Sequence, residues 1–244
     1  MITETISISR RFCGPPQSGN GGYVCGRLAK YIDGPAAVRL KASPPLEVEL
    51  RIEADGETAR LLHGPTVIAE ARRGEPGIET PAAPSYTEAE RASESYRRFK
   101  LVFPGCFVCG PQRPKGDGLR IFPGTFGDGP VLAAPWVPDD SLAGSDGNVL
   151  PEFLWAALDC AGAFANWPPE DKAVLLGELC TRMHGVVSPG QSCVVVAWPI
   201  AIEGRKRLSG TAVLSPSGKT VALARATWIE VPRDGVASAQ ASSG

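Results

Sequence analysis

Residues 148–166, NVLPEFLWAALDCAGAFAN, constrain this chain more than any other stretch. Leu150, Phe153, Leu154, Ala157, Leu158, Ala161 and Phe164 recur at helical spacing, and Trp155 and Ala156 fill most of the remaining circumference. The pattern predicts one helix buried on nearly every side. Asn148 is the expected N-cap, and Pro151 falls in the first turn, where a missing N–H costs little. Pro168 and Pro169 end the segment. Between Phe153 and Pro169 the sole charged side chain is Asp159. A carboxylate in an apolar helix must find partners or hold its proton, because an unpaired buried charge is expensive. Asp159 is therefore the first candidate for chemistry.

Composition narrows the class. With 43% hydrophobic and 21% charged residues, the chain can bury a sizeable core, and 244 residues allow one large domain or two small ones. A formal net charge of −1 gives no electrostatic reason to expect a nucleic-acid or membrane partner. No apolar run reaches bilayer length, and the opening MITETISISRRF lacks the apolar core of a signal peptide. Seven cysteines, an odd number scattered through apolar runs, read as free thiols in a reducing compartment. The expected location is cytoplasmic.

Alternation and turn residues set out the rest. Strands are expected at residues 6–12, 36–42, 46–52, 58–62 and 66–71, with a helix from the Gly21-Gly22 pair to Tyr31. Asp55-Gly56 joins two of these strands as a hairpin. Residues 73–100 read as a linker. Within it, Ser85 and Glu88 have capping-box spacing and open a short surface helix. Beyond residue 101, strands are expected at 118–122, 131–137, 174–184, 192–202, 207–214 and 220–231, and the last pair is a hairpin. The Ser- and Ala-rich residues 233–244 read as a disordered tail. Both halves thus follow one plan, a buried helix followed by an antiparallel sheet, which points to an internal duplication. The divisions are an N-terminal unit (1–72), the linker (73–100) and a C-terminal unit (101–232).

Three short motifs carry a family resemblance. Cys106-Phe107-Val108-Cys109-Gly110-Pro111, with Gly118-Leu119 after it, resembles the CFVCG…GL opening of hot-dog thioesterases. Leu154-Trp155-Ala156-Ala157-Leu158-Asp159-Cys160 resembles the helix that carries their acidic residue. Asn20-Gly21-Gly22 resembles the glycine-pair loop, often HGG, that begins the equivalent helix. The resemblance covers most of residues 5–72 and 101–231. It implies an α+β double hot-dog of the phenylacetic-acid-degradation-thioesterase type, with two buried helices each wrapped by an antiparallel sheet.

In that family one unit supplies a carboxylate and the other supplies helix N-terminal amides. Here the first helix keeps the glycines but has Ala29 near the acid position. The second keeps Asp159 but has Val149-Leu150-Pro151 in place of the glycines. The asymmetry implies one site per chain. The implied activity is hydrolysis of an acyl-CoA or acyl-carrier thioester. Asp159 would be base or nucleophile, and the N–H groups of Gly22 and Tyr23 would hold the oxyanion. Asn20 stands where the family has histidine; Asn20 or Gln17 would orient water or the carboxylate. Gly21, Gln17 and Trp155 would contact substrate, with Trp155 as a wall of the acyl tunnel.

Blander readings accompany these. Cys106 and Cys109 lack the further ligands of a structural zinc site, so no metal is expected, and no cofactor either. Cys160, Cys180 and Cys193 read as small core residues. Glu152 suits a helix N-terminus, and His63 and His184 read as polar strand ends. A hydratase or dehydratase of the same fold would pair an Asp with a His, and no such pair is visible. A non-catalytic acyl-binding hot-dog protein is the remaining alternative. The units can also associate further as a homo-oligomer.

Overall fold

The computed structural model describes residues 2–98 and 102–234. The tail prediction for residues 235–244, and the start of the second unit at Leu101, lie outside the described residues. The chain runs β1 (Ile2–Ile6), α1 (Gly21–Ala29), β2 (Ala36–Leu40), β3 (Leu50–Ala54), β4 (Thr58–His63), β5 (Thr66–Arg73) and α2 (Tyr86–Ser93). It continues through β6 (Gly124–Thr125), β7 (Leu132–Trp136), α3 (Pro151–Ala157), α4 (Cys160–Ala165), β8 (Lys172–Met183), β9 (Cys193–Glu203), β10 (Lys206–Leu214) and β11 (Thr220–Pro232).

All the strands join one antiparallel sheet in the order β1-β3-β4-β5-β2-β8-β11-β10-β9-β7-β6. The seam is β2 against β8, where Val38 faces Leu179 and Arg39 faces Glu178. Read outward from the seam, each half runs in the same sense: the strand after the helix lies at the centre and the later strands stack away from it. Helices α1, α3 and α4 cover one face. On the other face α2 packs over β7, β9 and β10 through Ala89, Ala92, Ala133, Val194, Val196 and Ala212. Strands buried on both faces read as continuous apolar runs, as Cys193-Val194-Val195-Val196 does. The Ser85–Glu88 capping box opens α2 as its spacing predicts.

Three expectations need correction. The strand expected at residues 6–12 ends at Ile6, because the Ser9 side chain accepts the Arg11 N–H and caps a 3₁₀ turn at Arg10–Phe12. The strand expected from residue 46 begins at Leu50, after Pro44-Pro45 and a left-handed Glu47 (φ 58°). The stretch expected as a strand at 118–122 joins no sheet; Arg120 there has φ 54°, which a ladder does not accommodate.

The central helix also differs. It is two helices, broken at Leu158 and Asp159, where Asp159 adopts φ −78°, ψ −88°. The Leu158 carbonyl accepts a 2.8 Å hydrogen bond from Thr211 Oγ1 of β10. That bond satisfies a carbonyl near the end of α3. Asn148 does not cap the segment; its N–H binds Asp146 Oδ1, and α3 starts at Pro151 after Leu150.

The contact that joins the halves is backbone against backbone. Gly22 and Gly26 lie one turn apart on α1. A Cβ on Gly26 would sit 2.6 Å from Glu152 Cα and 2.8 Å from Trp155 Cβ. A Cβ on Gly22 would sit 2.6 Å from both Asp159 Cβ and the Trp155 carbonyl oxygen. Gly26→Val should therefore cost about 3 kcal/mol or more by overpacking. Chemical denaturation checks this against Gly129→Ala, which meets nothing within 4 Å and should fall within about 0.5 kcal/mol of the parent.

Candidate active site

Asn20 caps α1 in an extended conformation, and its Oδ1 accepts the Tyr23 N–H at 2.9 Å. This leaves Nδ2 free to donate to Asp159 Oδ2 at 2.7 Å. The Gly22 N–H donates to the same oxygen at 2.9 Å. One oxygen of the carboxylate is thus tied twice to the start of α1. The other, Oδ1, is buried without a hydrogen-bond partner among the described residues.

Asp159 is 3% exposed. Burial pushes its carboxyl up to about 7, against the opposing pull of the Gly22 N–H and the Asn20 amide; the nearby Cys106 adds to the rise. An ordinary carboxyl is fully ionised well below that value. The helix break makes the position possible. It lets α3 end against α1 while α4 starts on β10, where Gly162 approaches Ser209 closely.

A cavity of about 370 Å3 opens beside these groups. Asn20, Gly21 and Asp159 line it, and its apolar wall includes Leu40, Leu176 and Phe164. Phe164 stacks on Trp167, with ring centroids 5.0 Å apart, and Trp167 also lines the cavity. Both halves of the chain contribute to the wall.

The sequence-predicted residues divide into two sets. The structure brings Asp159, Asn20, Gly21 and Gly22 together. Tyr23 is elsewhere: its N–H is taken by the cap, and its ring stacks on Phe12 at 4.3 Å and lies near Phe153 at 5.7 Å. Trp155 is buried against Gly26 and is not a cavity wall. Gln17 is exposed and lies off the cavity. Glu152 faces Arg27 of α1 at 3.9 Å. Neither histidine lines the cavity. Trp167 was missed; a Trp directly before the helix-ending prolines was its one visible signal.

Three thiols join the site. Cys106, Cys109 and Cys160 all line the cavity, and their sulfurs lie within 4.8 Å of one another. Hydrogen bonding with the other two thiols holds Cys106 well below the usual thiol range, and the same contacts and burial push Cys160 well above it. The seven cysteines are all free.

The sequence matches no protein-family model and no curated protein. Solved structures do match. A tesB protein of Mycobacterium avium subspecies paratuberculosis superimposes with TM-score 0.61 at 12% identity, covering 94% of this chain and 93% of that one. A putative thioesterase II from Thermobifida fusca gives 0.59 at 13%, covering 94% and 93%. A hot-dog-fold protein of unknown function from Alicyclobacillus acidocaldarius gives 0.57 at 10%, with the same coverage. The fold is the hot-dog fold. Identities this low establish the hot-dog architecture and leave the chemistry to the residues themselves.

The cap and the carboxylate share one side chain, so they fail together. Asn20→Ala should lose about 1–2 kcal/mol, from the cap and from one donor to a buried carboxyl. Denaturant titration reads the loss, and Ser85→Ala provides the comparison for a cap with no buried partner.

Proposed function

We propose that the chain is a thioesterase of double hot-dog form, hydrolysing an acyl-CoA or acyl-carrier thioester in the cavity beside Asp159. The observation that carries this reading is the asymmetry of the carboxylate. Oδ2 is held by two donors, which fixes the group, and Oδ1 has no hydrogen-bond partner among the described residues, on a side chain whose residue lines an apolar cavity. A carboxylate held in this way can act on a substrate whose acyl chain the wall accepts. The strand order, alike on both sides of the seam, supports two hot-dog units.

Two routes use the same oxygen. As a general base, Oδ1 takes a proton from water while the oxygen of that water bonds to the thioester carbon. The C–S bond breaks, and the thiolate leaves with the proton that Asp159 gained. As a nucleophile, Oδ1 itself bonds to the carbon, the thiolate leaves, and water hydrolyses the resulting anhydride. Either route passes through an oxyanion. Gly22 and Tyr23 already donate their N–H groups to Asp159 and Asn20. We assign the oxyanion to the Gly21 N–H, which has no acceptor among the described residues and belongs to a residue lining the cavity. One such donor is worth about 3–4 kcal/mol.

A second reading, acyl binding without hydrolysis, draws on those same two engaged amides. The hydratase alternative loses support because no histidine lines the cavity. A panel of acyl-CoAs, short to long chain and aromatic, decides between hydrolysis and binding. On the best substrate, Asp159→Asn should lower kcat by about 10²–10⁴-fold with the fold intact. Unchanged turnover would remove the carboxylate from the mechanism, and tight acyl-CoA binding without any turnover would leave the binding reading.

A further inference from the structure

The thiol cluster sits beside the carboxylate, yet neither hydrolytic route uses it. Two of its members come from one loop and the third from the start of α4, 51 or more positions later. The loop is fixed from several sides. Phe107 N–H donates to the Cys13 carbonyl, Ile121 N–H to the Val108 carbonyl, and Tyr96 Oη to the Cys109 carbonyl at 2.6 Å. Within it, Gly110 N–H donates to the Cys106 carbonyl at 2.9 Å. A Cβ on Gly110 would lie 2.5 Å from that carbonyl oxygen and 2.6 Å from the Cys106 nitrogen. The turn therefore closes only with glycine after the second cysteine. This Cys-x-x-Cys-Gly turn holds the Cys106 and Cys109 sulfurs within 4.8 Å of each other.

We propose that Cys106, Cys109 and Cys160 bind one thiophilic metal ion, Zn2+ by preference, with the fourth coordination position open to the cavity. Zinc bound tetrahedrally by thiolates at about 2.3 Å separates the sulfurs by roughly 3.8 Å. Cys106 and Cys160 are already 3.6 Å apart, and no pair in the cluster exceeds 4.8 Å. Thiolate donors select zinc over the hard cations magnesium and calcium. Three protein ligands and a position facing a cavity are the donor count of an open site rather than a closed structural one. Binding releases the thiol protons to solvent. The proposal stands on the cluster alone and holds whichever reading of Asp159 is right.

The test uses the full chain, reduced with a phosphine and kept free of oxygen. Titration with Co2+ should raise a thiolate-to-cobalt charge-transfer band that saturates at one equivalent and is displaced by Zn2+. Elemental analysis after dialysis should find one zinc per chain. Cys160→Ser and Cys109→Ser should each weaken binding by about 100-fold or more, whereas Cys180→Ser, in the sheet seam, should not. Circular dichroism of each variant checks the fold, and the wild-type spectrum decides the matter even if a variant unfolds. Absence of the band in the reduced protein, binding that Cys160→Ser leaves unchanged, or a cluster that forms only an intramolecular disulfide overturns the proposal.

Discussion

The approach of α1 to α3 sets the distances between Asp159 and the start of α1. Gly22 and Gly26 remove the side chains that would hold the two backbones apart. With that gap closed, the Gly22 N–H reaches a carboxylate carried by the other half of the chain. The same closeness lets Asn20 serve two elements, capping α1 with its oxygen and holding Asp159 with its nitrogen. A histidine at this position could not do both in the same way, because its ring offers no carbonyl oxygen beside an NH₂ donor. The Asn20-Gly21-Gly22 loop is thus a coherent local arrangement. It binds the carboxylate to the helix start rather than leaving the amides open.

Asp159 occupies a position that costs free energy. A buried oxygen without a partner carries a penalty of about 1–3 kcal/mol, and burial raises the carboxyl to about 7. The surrounding structure retains it through two donors on Oδ2 and a helix break held by Thr211. Buried groups that break local rules concentrate at functional sites. The thiols extend the same logic, since three polar, oxidisable atoms are gathered against one apolar wall.

Sequence reasoning reached the features whose causes are local. The long strands β8 to β11 follow from alternation and turn residues, and α2 follows from its capping box. Asp159 stands out because it is a lone charge among apolar neighbours. What the sequence hid depends on distant partners. The break at Leu158 is held by Thr211, 53 positions later. A helical pattern cannot show it, because α3 and α4 each keep the period. Trp155 looked like a wall for the acyl group because periodicity gives a buried face without saying what covers it; the answer is Gly26. The amides of Gly22 and Tyr23 looked available because their acceptors are side chains whose orientation only the fold supplies. Cys160 read as a filler residue for the same reason: its two companions belong to another segment.

The hydrogen bond from Thr211 to the Leu158 carbonyl ties the carboxylate to the register of β10. That strand carries irregularities at Leu208/Ser209 and at Val213/Leu214, one on either side of Thr211. A slip by a single position would present Gly210 or Ala212 to the break instead, and neither bears a hydroxyl. The turns at the two ends of this strand can thus lengthen or shorten at little cost, provided the irregularities absorb the change. Changes of length in this half of the molecule therefore fit at its hairpin tips and not along the few residues that hold the bend.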